Sequence, residues 1–233
     1  MGAVEGGPNV VYNGLVLYLD AANNKSYVNG STTWVDLSPT QKNGILTNGP
    51  TFNSSNGGSI VFDGVDDYIN SSFAAPASET IIVWAKSALS AWNQYGWISS
   101  ARGQNGHIIH PEPSYVYGAN SRQVTFYIID QNSSFTNIGN TTPSSIIIPH
   151  MYVISTNGSN SHKCYIDGSL INTSTTAITR TSSPSLQNWY LGRDDTAGRY
   201  GNGNIYCAYR YNRQLSDTEI LQNYNTTKTR FGL

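Results

Sequence analysis

Apolar and polar residues alternate with a period of two along most of the chain. In the stretch NIYCAYRYN at 204–212, Ile205, Cys207, Tyr209 and Tyr211 fall on one face of an extended backbone. Further runs of this kind are rich in β-branched and aromatic residues, and Gly, Pro, Asn or Asp bounds them. The pattern therefore predicts strands at 15–20, 59–64, 79–87, 123–130, 151–155, 162–168, 188–192 and 204–212.

Clusters of turn-forming residues separate these runs. They are rich in Gly, Asn, Ser and Pro, as in NGSTT, NGP, NSSNGG and NGSNSH. Many short strands separated by such turns are typical of an antiparallel sandwich. The chain has no internal repeat with a period of about 20–50 residues. We therefore predict an all-β fold built as one antiparallel β-sandwich.

One helix is predicted, near the end of the chain. Ser216 and Glu219 are spaced as a capping box, in which the Ser hydroxyl accepts an amide N–H and the Glu side chain reaches back. Ile220, Leu221 and Tyr224 then recur at helical spacing. The sequence therefore predicts a short C-terminal helix at 217–226.

The length of 233 residues suits one large β domain. We expect residues 1–11, which are rich in Gly, to form a flexible or docking arm, and 12–233 to form the sandwich. The start of the chain has neither the basic region nor the apolar stretch of a secretory signal. Synthesis in a cytoplasm without a signal peptide is therefore expected.

Composition narrows the classes of partner. Charged residues make up 12% of the chain and the net charge is −1, which argues against a nucleic-acid partner because that partner requires a basic face. No apolar run reaches about 18 residues, so no membrane insertion is expected. Cys164 and Cys207 lie in predicted strands, and we expect buried free thiols rather than a disulfide.

Three carboxylates lie close together in SIVFDGVDDYIN at 59–70. Asp63-Gly64 is a turn dipeptide that follows a strand. Asp66 and Asp67 are adjacent, so in an extended chain they point to opposite faces. Turn and capping roles are the leading interpretation. A calcium ligand at Asp66 or Asp67 stays open, because calcium binds carboxylate and backbone carbonyl oxygens.

A second acidic group lies in the Gly-rich stretch LGRDDTAGRYGNGN at 191–204, between two predicted strands. Loops held by a rigid scaffold carry many binding residues. An ordinary surface loop with a local Arg–Asp pair is the alternative. On the first interpretation, the candidate ligand-binding residues are Arg193, Asp194, Asp195 and Tyr200.

Aromatic residues supply the remaining candidates, since the chain has 16 Tyr and 5 Trp. Trp92, Tyr95 and Trp97 cluster in SAWNQYGWIS and are candidates for a sugar platform or a subunit contact. The alternative for these three residues is the sandwich core and its cap. Trp34 and Trp84 lie within strand patterns and are predicted to be core.

The sequence does not indicate an enzyme. Glycosidases need two carboxyl groups placed across one bond, and the chain has neither a Glu-x-Asp-x-Glu pattern nor a Gly-x-Ser-x-Gly elbow. His107 and His110 make a poor zinc motif, because strand residues three positions apart face opposite ways. We therefore predict no catalytic residue. The four glutamates are far apart in sequence: Glu5, Glu79, Glu112 and Glu219.

Eight segments in a fixed order resemble a known family. The resemblance is to the laminin-G-like branch of the concanavalin A-like lectin/glucanase superfamily, and above all to its copies in virion proteins of tailed bacteriophages. It extends to a C-terminal helix followed by Arg230-Phe231-Gly232-Leu233. It implies a jelly-roll sandwich of two antiparallel sheets, one of them concave. The segments are GLVLYLDA, TWVDLS, NGPTF, SIVFDGVDDYI, IIVWAK, CYIDGSLI, WYLGRD and GNIYCAYRYNRQLSDTEI.

The resemblance implies a non-enzymatic structural module on a virion surface, such as a capsid decoration, head fibre, tail fibre or tail-associated protein. Expected partners are other virion proteins and a cell-surface glycan, with homo-oligomers because virion parts are repeated by symmetry. No cofactor is expected apart from the open question of calcium. Two alternatives remain: a secreted or cell-surface lectin with calcium-assisted carbohydrate binding, and a glycoside hydrolase that uses Asp194 or Asp195.

Overall fold

The computed structural model describes residues 9–113, 115, 121–196 and 198–233. Within these residues, sixteen strands form two sheets of eight strands each, and an α-helix follows the last strand. In chain order the strands are β1 (Leu15–Asp20), β2 (Thr33–Trp34), β3 (Gly44–Thr47), β4 (Thr51–Asn53), β5 (Ser59–Asp63), β6 (Tyr68–Ala74), β7 (Glu79–Ser87), β8 (Ser99–Ala101), β9 (His107–Pro111), β10 (Val124–Ile129), β11 (Phe135–Thr141), β12 (His150–Thr156), β13 (His162–Ile166), β14 (Ser169–Ser174), β15 (Leu186–Leu191) and β16 (Asn202–Tyr211).

The two sheets are antiparallel and pack face to face. The first sheet has the order β14-β13-β12-β7-β16-β5-β4, and β1 pairs with the second half of β16. The second sheet has the order β11-β10-β9-β8-β15-β6-β3-β2. Half of the neighbouring strand pairs, such as β7 with β16 and β6 with β15, join strands that are distant in sequence. The predicted all-β antiparallel jelly-roll sandwich is confirmed.

Two apolar clusters hold three layers together. The first lies between the sheets and contains Trp34 and Trp189. The second lies on the outer face of the first sheet, beneath the helix, and contains Trp84 and Tyr209. Burying each large side chain stabilises the fold by about 1.5–3 kcal/mol. Trp34 and Trp84 are fully buried, so their prediction as core residues is confirmed.

The predicted helix is present as α1 (Asp217–Thr227), and a 3₁₀ turn (Lys228–Phe231) follows it. Its capping box forms as predicted: the Ser216 hydroxyl accepts the Glu219 N–H at 3.3 Å, and the Ser216 N–H donates to the Glu219 carboxylate at 2.9 Å. Tyr224 stacks on Trp84 with ring centres 5.7 Å apart. The helix therefore covers the outer face of the first sheet.

The face assignment predicted for β16 is wrong at Ile205. A bulge between Ile205 and Cys207 shifts the pairing with β7 by one residue. Ile205 therefore lies in the cluster between the sheets, whereas Cys207 and Tyr209 lie beneath the helix. Half of the strands also lie outside the predicted set. Several of these, such as β6, β11 and β14, are rich in Ser, Thr and Asn because one of their faces meets solvent.

Cys164 and Cys207 are buried free thiols, as predicted. Of the predicted arm at 1–11, residues 1–8 lie outside the described residues. Val10 and Val11 are buried, and the Val11 N–H donates to Asn223 of α1 at 2.9 Å. The domain boundary after residue 11 stays a prediction. Among the described residues, no helix combines the length and the apolar character needed to cross a membrane.

Candidate functional site: a tyrosine and arginine surface

Tyrosines on the outward face of the second sheet surround Arg193. Tyr68 of β6 and Tyr190 of β15 point away from the core, because the next residue on each strand lies in it. The guanidinium carbon of Arg193 lies 4.9 Å from the ring centre of Tyr68, 4.5 Å from that of Tyr190 and 5.7 Å from that of Tyr200. These distances are within cation–π range. We call these four residues the Arg193 cluster.

Arg193 forms no ion pair with a carboxylate in the described part of the chain. Its Nε donates to the backbone carbonyl of Asp194 at 2.9 Å, and its Nη2 donates to that of Asp195 at 3.4 Å. These carbonyls orient the side chain without neutralising its charge. A partly exposed guanidinium held in this way is suited to a carboxylate, because its planar fork matches two carboxylate oxygens.

Asp194, the next residue, has a structural role in this loop. Its side chain is fully buried and accepts from Arg102 at 2.6 Å, from Arg199 at 2.9 Å and from the Ser100 hydroxyl at 2.8 Å. Burial alone would raise the pKa of Asp194, but these hydrogen bonds and the Arg102 charge outweigh it and hold the pKa below its usual value. Asp194 therefore anchors the loop to β8 as an anion at neutral pH.

A row of aromatic rings continues the surface beside this anchor. Arg199 lies over Tyr95 at 4.7 Å, and Tyr95 contacts Tyr115 and His110, with ring centres 5.8 Å and 5.1 Å apart. Tyr115 is exposed. We call the following residues the aromatic row, in which His110 is buried and the other four reach the surface: Tyr115, Tyr95, His110, Tyr127 and Phe135. Arg102 lies over Phe135 at 5.5 Å. Each of the two arginines that bind Asp194 therefore also contacts a ring of the row: Arg199 contacts Tyr95 and Arg102 contacts Phe135.

The structure separates the three aromatic residues predicted from SAWNQYGWIS. Tyr95 lies in the aromatic row. Trp92 and Trp97 are fully buried in the core between the sheets, in edge-to-face contact at 5.7 Å. Their interpretation as a sugar platform is corrected here, because neither indole presents a face to solvent. The core alternative applies to both.

The candidate loop residues also differ in role. Arg193 and Tyr200 are in the Arg193 cluster, whereas Asp194 is buried. Asp195 accepts the Arg102 N–H at 3.3 Å. The sequence prediction missed the two strand tyrosines, Tyr68 and Tyr190. Both could have been found from the strand pattern, because each Tyr precedes a core residue and therefore lies on the outward face of its strand.

The three carboxylates at Asp63, Asp66 and Asp67 come together in the β5–β6 loop. One oxygen from each lies within 4.8 Å of the others. The expected divergence of Asp66 and Asp67 is wrong, because the chain bends at this point instead of staying extended. Burial, opposed by a backbone hydrogen bond from Asp63 and reinforced by the charges of Asp63 and Asp66, raises the pKa of Asp67 to about 6. All three donors are hard oxygens, which fits a calcium ion.

Some of these carboxylates also have the predicted turn roles. The Val65 N–H donates to Asp63 Oδ1 at 2.8 Å, and the Asp63 N–H donates to Asp67 Oδ2 at 3.1 Å. Asp67 immediately precedes Tyr68 of the Arg193 cluster. The acidic loop and the Arg193 cluster are therefore neighbours at one end of β6.

Glu79, His107 and Ser99 form a line of contacts that resembles a hydrolase triad. His107 Nδ1 lies 3.5 Å from a Glu79 carboxylate oxygen, and His107 Nε2 lies 2.9 Å from Ser99 Oγ. All three residues are fully buried. Ser99 Oγ also accepts from Trp189 at 2.7 Å. A substrate has no access to this line, so it acts as a polar network within the core.

His107 and His110 point to opposite faces of β9, as the sequence predicted. His107 lies against Glu79 inside the sandwich, whereas His110 lies in the aromatic row. The two side chains therefore do not form a zinc site together.

A family model described as the concanavalin A-like lectin/glucanases superfamily matches residues 63–221. This match covers more than half of the chain, so the chain belongs to that superfamily. A search of curated protein sequences gave no match.

Solved structures with the same fold include toxin binding domains. The binding domain of botulinum neurotoxin serotype D aligns with a TM-score of 0.68 and 15% identity, over 93% of this chain and 52% of that one. The binding domain of Paraclostridial Mosquitocidal Protein 1 gives 0.69 and 15%, over 91% and 52%. A serotype D ligand-binding domain in complex with N-acetylneuraminic acid gives 0.68 and 14%, over 92% and 51%. This chain spans about half the length of each, and at these identities the likeness concerns the fold.

Proposed function

We propose that this chain is a non-enzymatic carbohydrate-binding module whose sugar contacts come from the Arg193 cluster and the aromatic row. The observation that carries the proposal is the gathering of Tyr68, Tyr190 and Tyr200 around Arg193 on one rigid sheet face. Aromatic rings provide flat apolar faces that fit the C–H faces of sugars, while their hydroxyl groups bind polar groups of the ligand. Tyr68 and Tyr190 lie on strands, which hold groups in place more precisely than loops do, and an isolated bridge pairs Arg193 with Tyr200 in the adjoining loop.

An acidic sugar suits this surface best. Arg193 is not paired with any carboxylate of the described chain, and Arg102 and Arg199 share a single carboxylate, Asp194, which leaves one further positive charge nearby. A sugar carboxylate would form charge-assisted hydrogen bonds with the Arg193 guanidinium. Botulinum binding domains of the same fold, of which this chain matches about half, form complexes with N-acetylneuraminic acid and with SialylT, and this supports the choice.

The test is a glycan array with the labelled chain, followed by calorimetry with a glycan that binds. We expect acidic glycans among those bound, and a loss of affinity of about tenfold or more for Tyr190→Ala and Arg193→Gln. Tyr12 is 64% exposed and has no place in either group of residues, so Tyr12→Ala is the matched control. The proposal would be contradicted if Arg193→Gln bound the glycan as tightly as the wild type, or if no glycan on the array bound the chain.

The hydrolase alternative is disfavoured by the state of Asp194. A general acid needs a raised pKa and access to the substrate, whereas Asp194 is buried, paired with two arginines and has a lowered pKa. We expect no reducing sugar to be released from bound polysaccharides. Product release that is lost in Asp195→Asn would reverse this conclusion.

Calcium-assisted binding is a second candidate, and the meeting of three carboxylates in the β5–β6 loop favours it. A calcium ion at this position would offset the repulsion between the three carboxylates and stabilise the loop that leads into Tyr68. We expect calorimetry to detect calcium binding that Asp67→Asn abolishes. Glycan binding should then weaken in the presence of a chelator. A chain that binds glycan equally with chelator and takes up no calcium would exclude this role.

We also propose that the module acts on the surface of a tailed-phage virion, as a decoration, fibre or tail-associated subunit. This part rests on the order of the eight sequence segments and on the Arg-Phe-Gly-Leu ending. Mass spectrometry of purified particles from the source tests it, and native mass spectrometry of the free chain tests for a homo-oligomer. Absence of the chain from particles would remove the virion role and leave the lectin.

A further inference from the structure

A cavity of about 250 Å³ lies between the two sheets, away from the outward surface described above. Leu17 and Arg210 of the first sheet form one wall, and Phe73 and Trp189 of the second sheet form the other. The exposed Lys42 also lines it. No acidic residue lines the cavity within the described part of the chain. Its walls are therefore mostly apolar, with basic groups as their only charges.

Arg210 belongs to a buried cluster of ions that carries an excess positive charge. Glu79 accepts from Arg180 at 2.6 Å and from Arg210 at 2.7 Å, and all three side chains are buried. Burial lowers the pKa of His107, the remaining titratable neighbour, so it is neutral near pH 7. Two guanidinium groups thus share one carboxylate. Buried charges are normally neutralised, because an unpaired one is costly in a low-dielectric interior.

The donors of Arg210 are only partly used. Its Nη2 binds Glu79, whereas its buried Nη1 has no acceptor among the described residues. Phe73 lies over the guanidinium, with the carbon 3.0 Å from the ring centre. Burial, opposed by Glu79 and reinforced by Arg180, lowers the pKa of Arg210 to about 10. An anion in the cavity, beside the wall that Arg210 forms, would relieve this excess of positive charge.

We propose that this cavity binds a small amphipathic carboxylate, with the carboxylate against Arg210 and the apolar body between Leu17, Phe73 and Trp189. Pockets for drug-sized ligands hold about 300–1,000 Å³, so a cavity of about 250 Å³ suits a small aromatic or short aliphatic acid. The site is independent of the carbohydrate surface, because Trp189 faces the core and its neighbour Tyr190 faces outward.

Benzoate and hexanoate are suitable probes, with benzamide as the uncharged match for benzoate. Ligand-observed NMR and calorimetry with the full chain should show benzoate bound about tenfold or more tightly than benzamide, because only the acid pairs with the guanidinium. Ala74 lines the cavity and is exposed, so Ala74→Trp should block it without disturbing the core. Ala177→Trp, at an exposed alanine outside the cavity, is the matched control and should bind benzoate as the wild type does.

Three outcomes would overturn the proposal. Equal affinity for benzoate and benzamide would mean that the cavity does not recognise charge. Unchanged benzoate binding in Ala74→Trp would place the site elsewhere. If neither benzoate nor hexanoate binds, the cavity is not a site for small carboxylates. Thermal unfolding of both Trp variants checks that each is folded, so a loss seen only in Ala74→Trp reports on the cavity.

Discussion

Adjacent residues in the 191–204 loop have opposite roles. Arg193 points outward into the tyrosines and Asp194 points inward to Arg102 and Arg199. The sequence predicted that this loop matters, because a Gly-rich stretch between strands is a common place for binding residues. It could not assign the roles, since Arg102 is 92 positions away from Asp194 and nothing local identifies it as the partner. The local Arg–Asp pair that the sequence offered as an alternative is present between Arg199 and Asp194, and Arg102 adds a long-range anchor to it.

Asp194→Asn should lower the free energy of unfolding by about 2–3 kcal/mol, because it leaves a buried amide facing two arginines. Urea unfolding measures this loss. Asp194 has a lowered folded-state pKa, so its contribution is full above the pKa of an unfolded Asp, about 3.9. The contribution is lost as the pH falls below that value. Asp195→Asn is the control, with a loss within about 0.5 kcal/mol, and equal losses in the two variants would refute the anchor.

Cys164 and Cys207 are buried, as the strand pattern around them predicted. Burial raises the pKa of Cys164 to about 12 and that of Cys207 to about 12. The thiolate is the reactive form, so a thiol reagent at neutral pH should label neither residue in the native chain. Both should react in denaturant. Fast labelling of the native chain, followed by mass spectrometry, would show that the strands open far more readily than this structure implies.

At the scale of elements, locally encoded features were predictable and long-range ones were not. Helix α1 could be predicted because its cap lies within four consecutive residues, 216–219. Strand β9 lies outside the predicted set, yet it pairs with β8 and β10 through contacts that the local sequence does not encode. The bulge at Ile205 is also set by pairing with β7, so periodicity alone assigned it to the wrong face.

Glu219→Gln tests the cap of α1. The Glu219 carboxylate binds Arg213 at 2.6 Å and the Ser216 N–H at 2.9 Å, and these partners, with the Ser216 hydroxyl, lower the pKa of Glu219 to about 2. The side chain is about one quarter exposed, so solvent weakens the pair, and we expect a loss of about 1 kcal/mol at neutral pH.

The pH dependence of this loss has a definite sign. A lowered folded-state pKa stabilises the fold above the pKa of an unfolded Glu, about 4.3, and that contribution disappears as the pH falls towards about 2. The gap between wild type and Glu219→Gln should therefore shrink in urea unfolding at low pH. Ser216→Ala removes a hydroxyl that both caps the helix and donates to the Glu219 carboxylate at 3.1 Å, so its loss of about 1 kcal/mol should shrink only in part between neutral and low pH. A Glu219→Gln gap that stays constant with pH would contradict the ionic cap.

For the whole molecule, the fold class followed from the sequence because two-residue periodicity and turn clusters persist along the chain. The jelly-roll topology came from family resemblance. The sequence did not indicate that a cluster of charged side chains, Glu79 with Arg180 and Arg210, is buried inside the sandwich. Glu79 begins β7, whose central residues at 81–85 are apolar, and its partners Arg180 and Arg210 are 101 and 131 positions away. This cluster joins β7 and β16 of the first sheet, the segment between β14 and β15 and, through His107, β9 of the second sheet, so it becomes visible only once the sheets are stacked.

Glu79→Gln is the sharpest test of that arrangement, because removing the carboxylate leaves two buried guanidinium groups facing each other without a counter-charge. We expect the free energy of unfolding to fall by about 3–5 kcal/mol, as it does when one partner of a buried pair is removed. Asp66→Asn, at an exposed carboxylate, is the control and should change it by less than about 0.5 kcal/mol. Benzoate should restore part of the loss in Glu79→Gln, since an anion at Arg210 supplies the missing charge and a ligand that binds only the folded state stabilises it. A variant as stable as the wild type would mean that the cluster is neutral or hydrated in solution, and the argument for an anion in the cavity would fall with it.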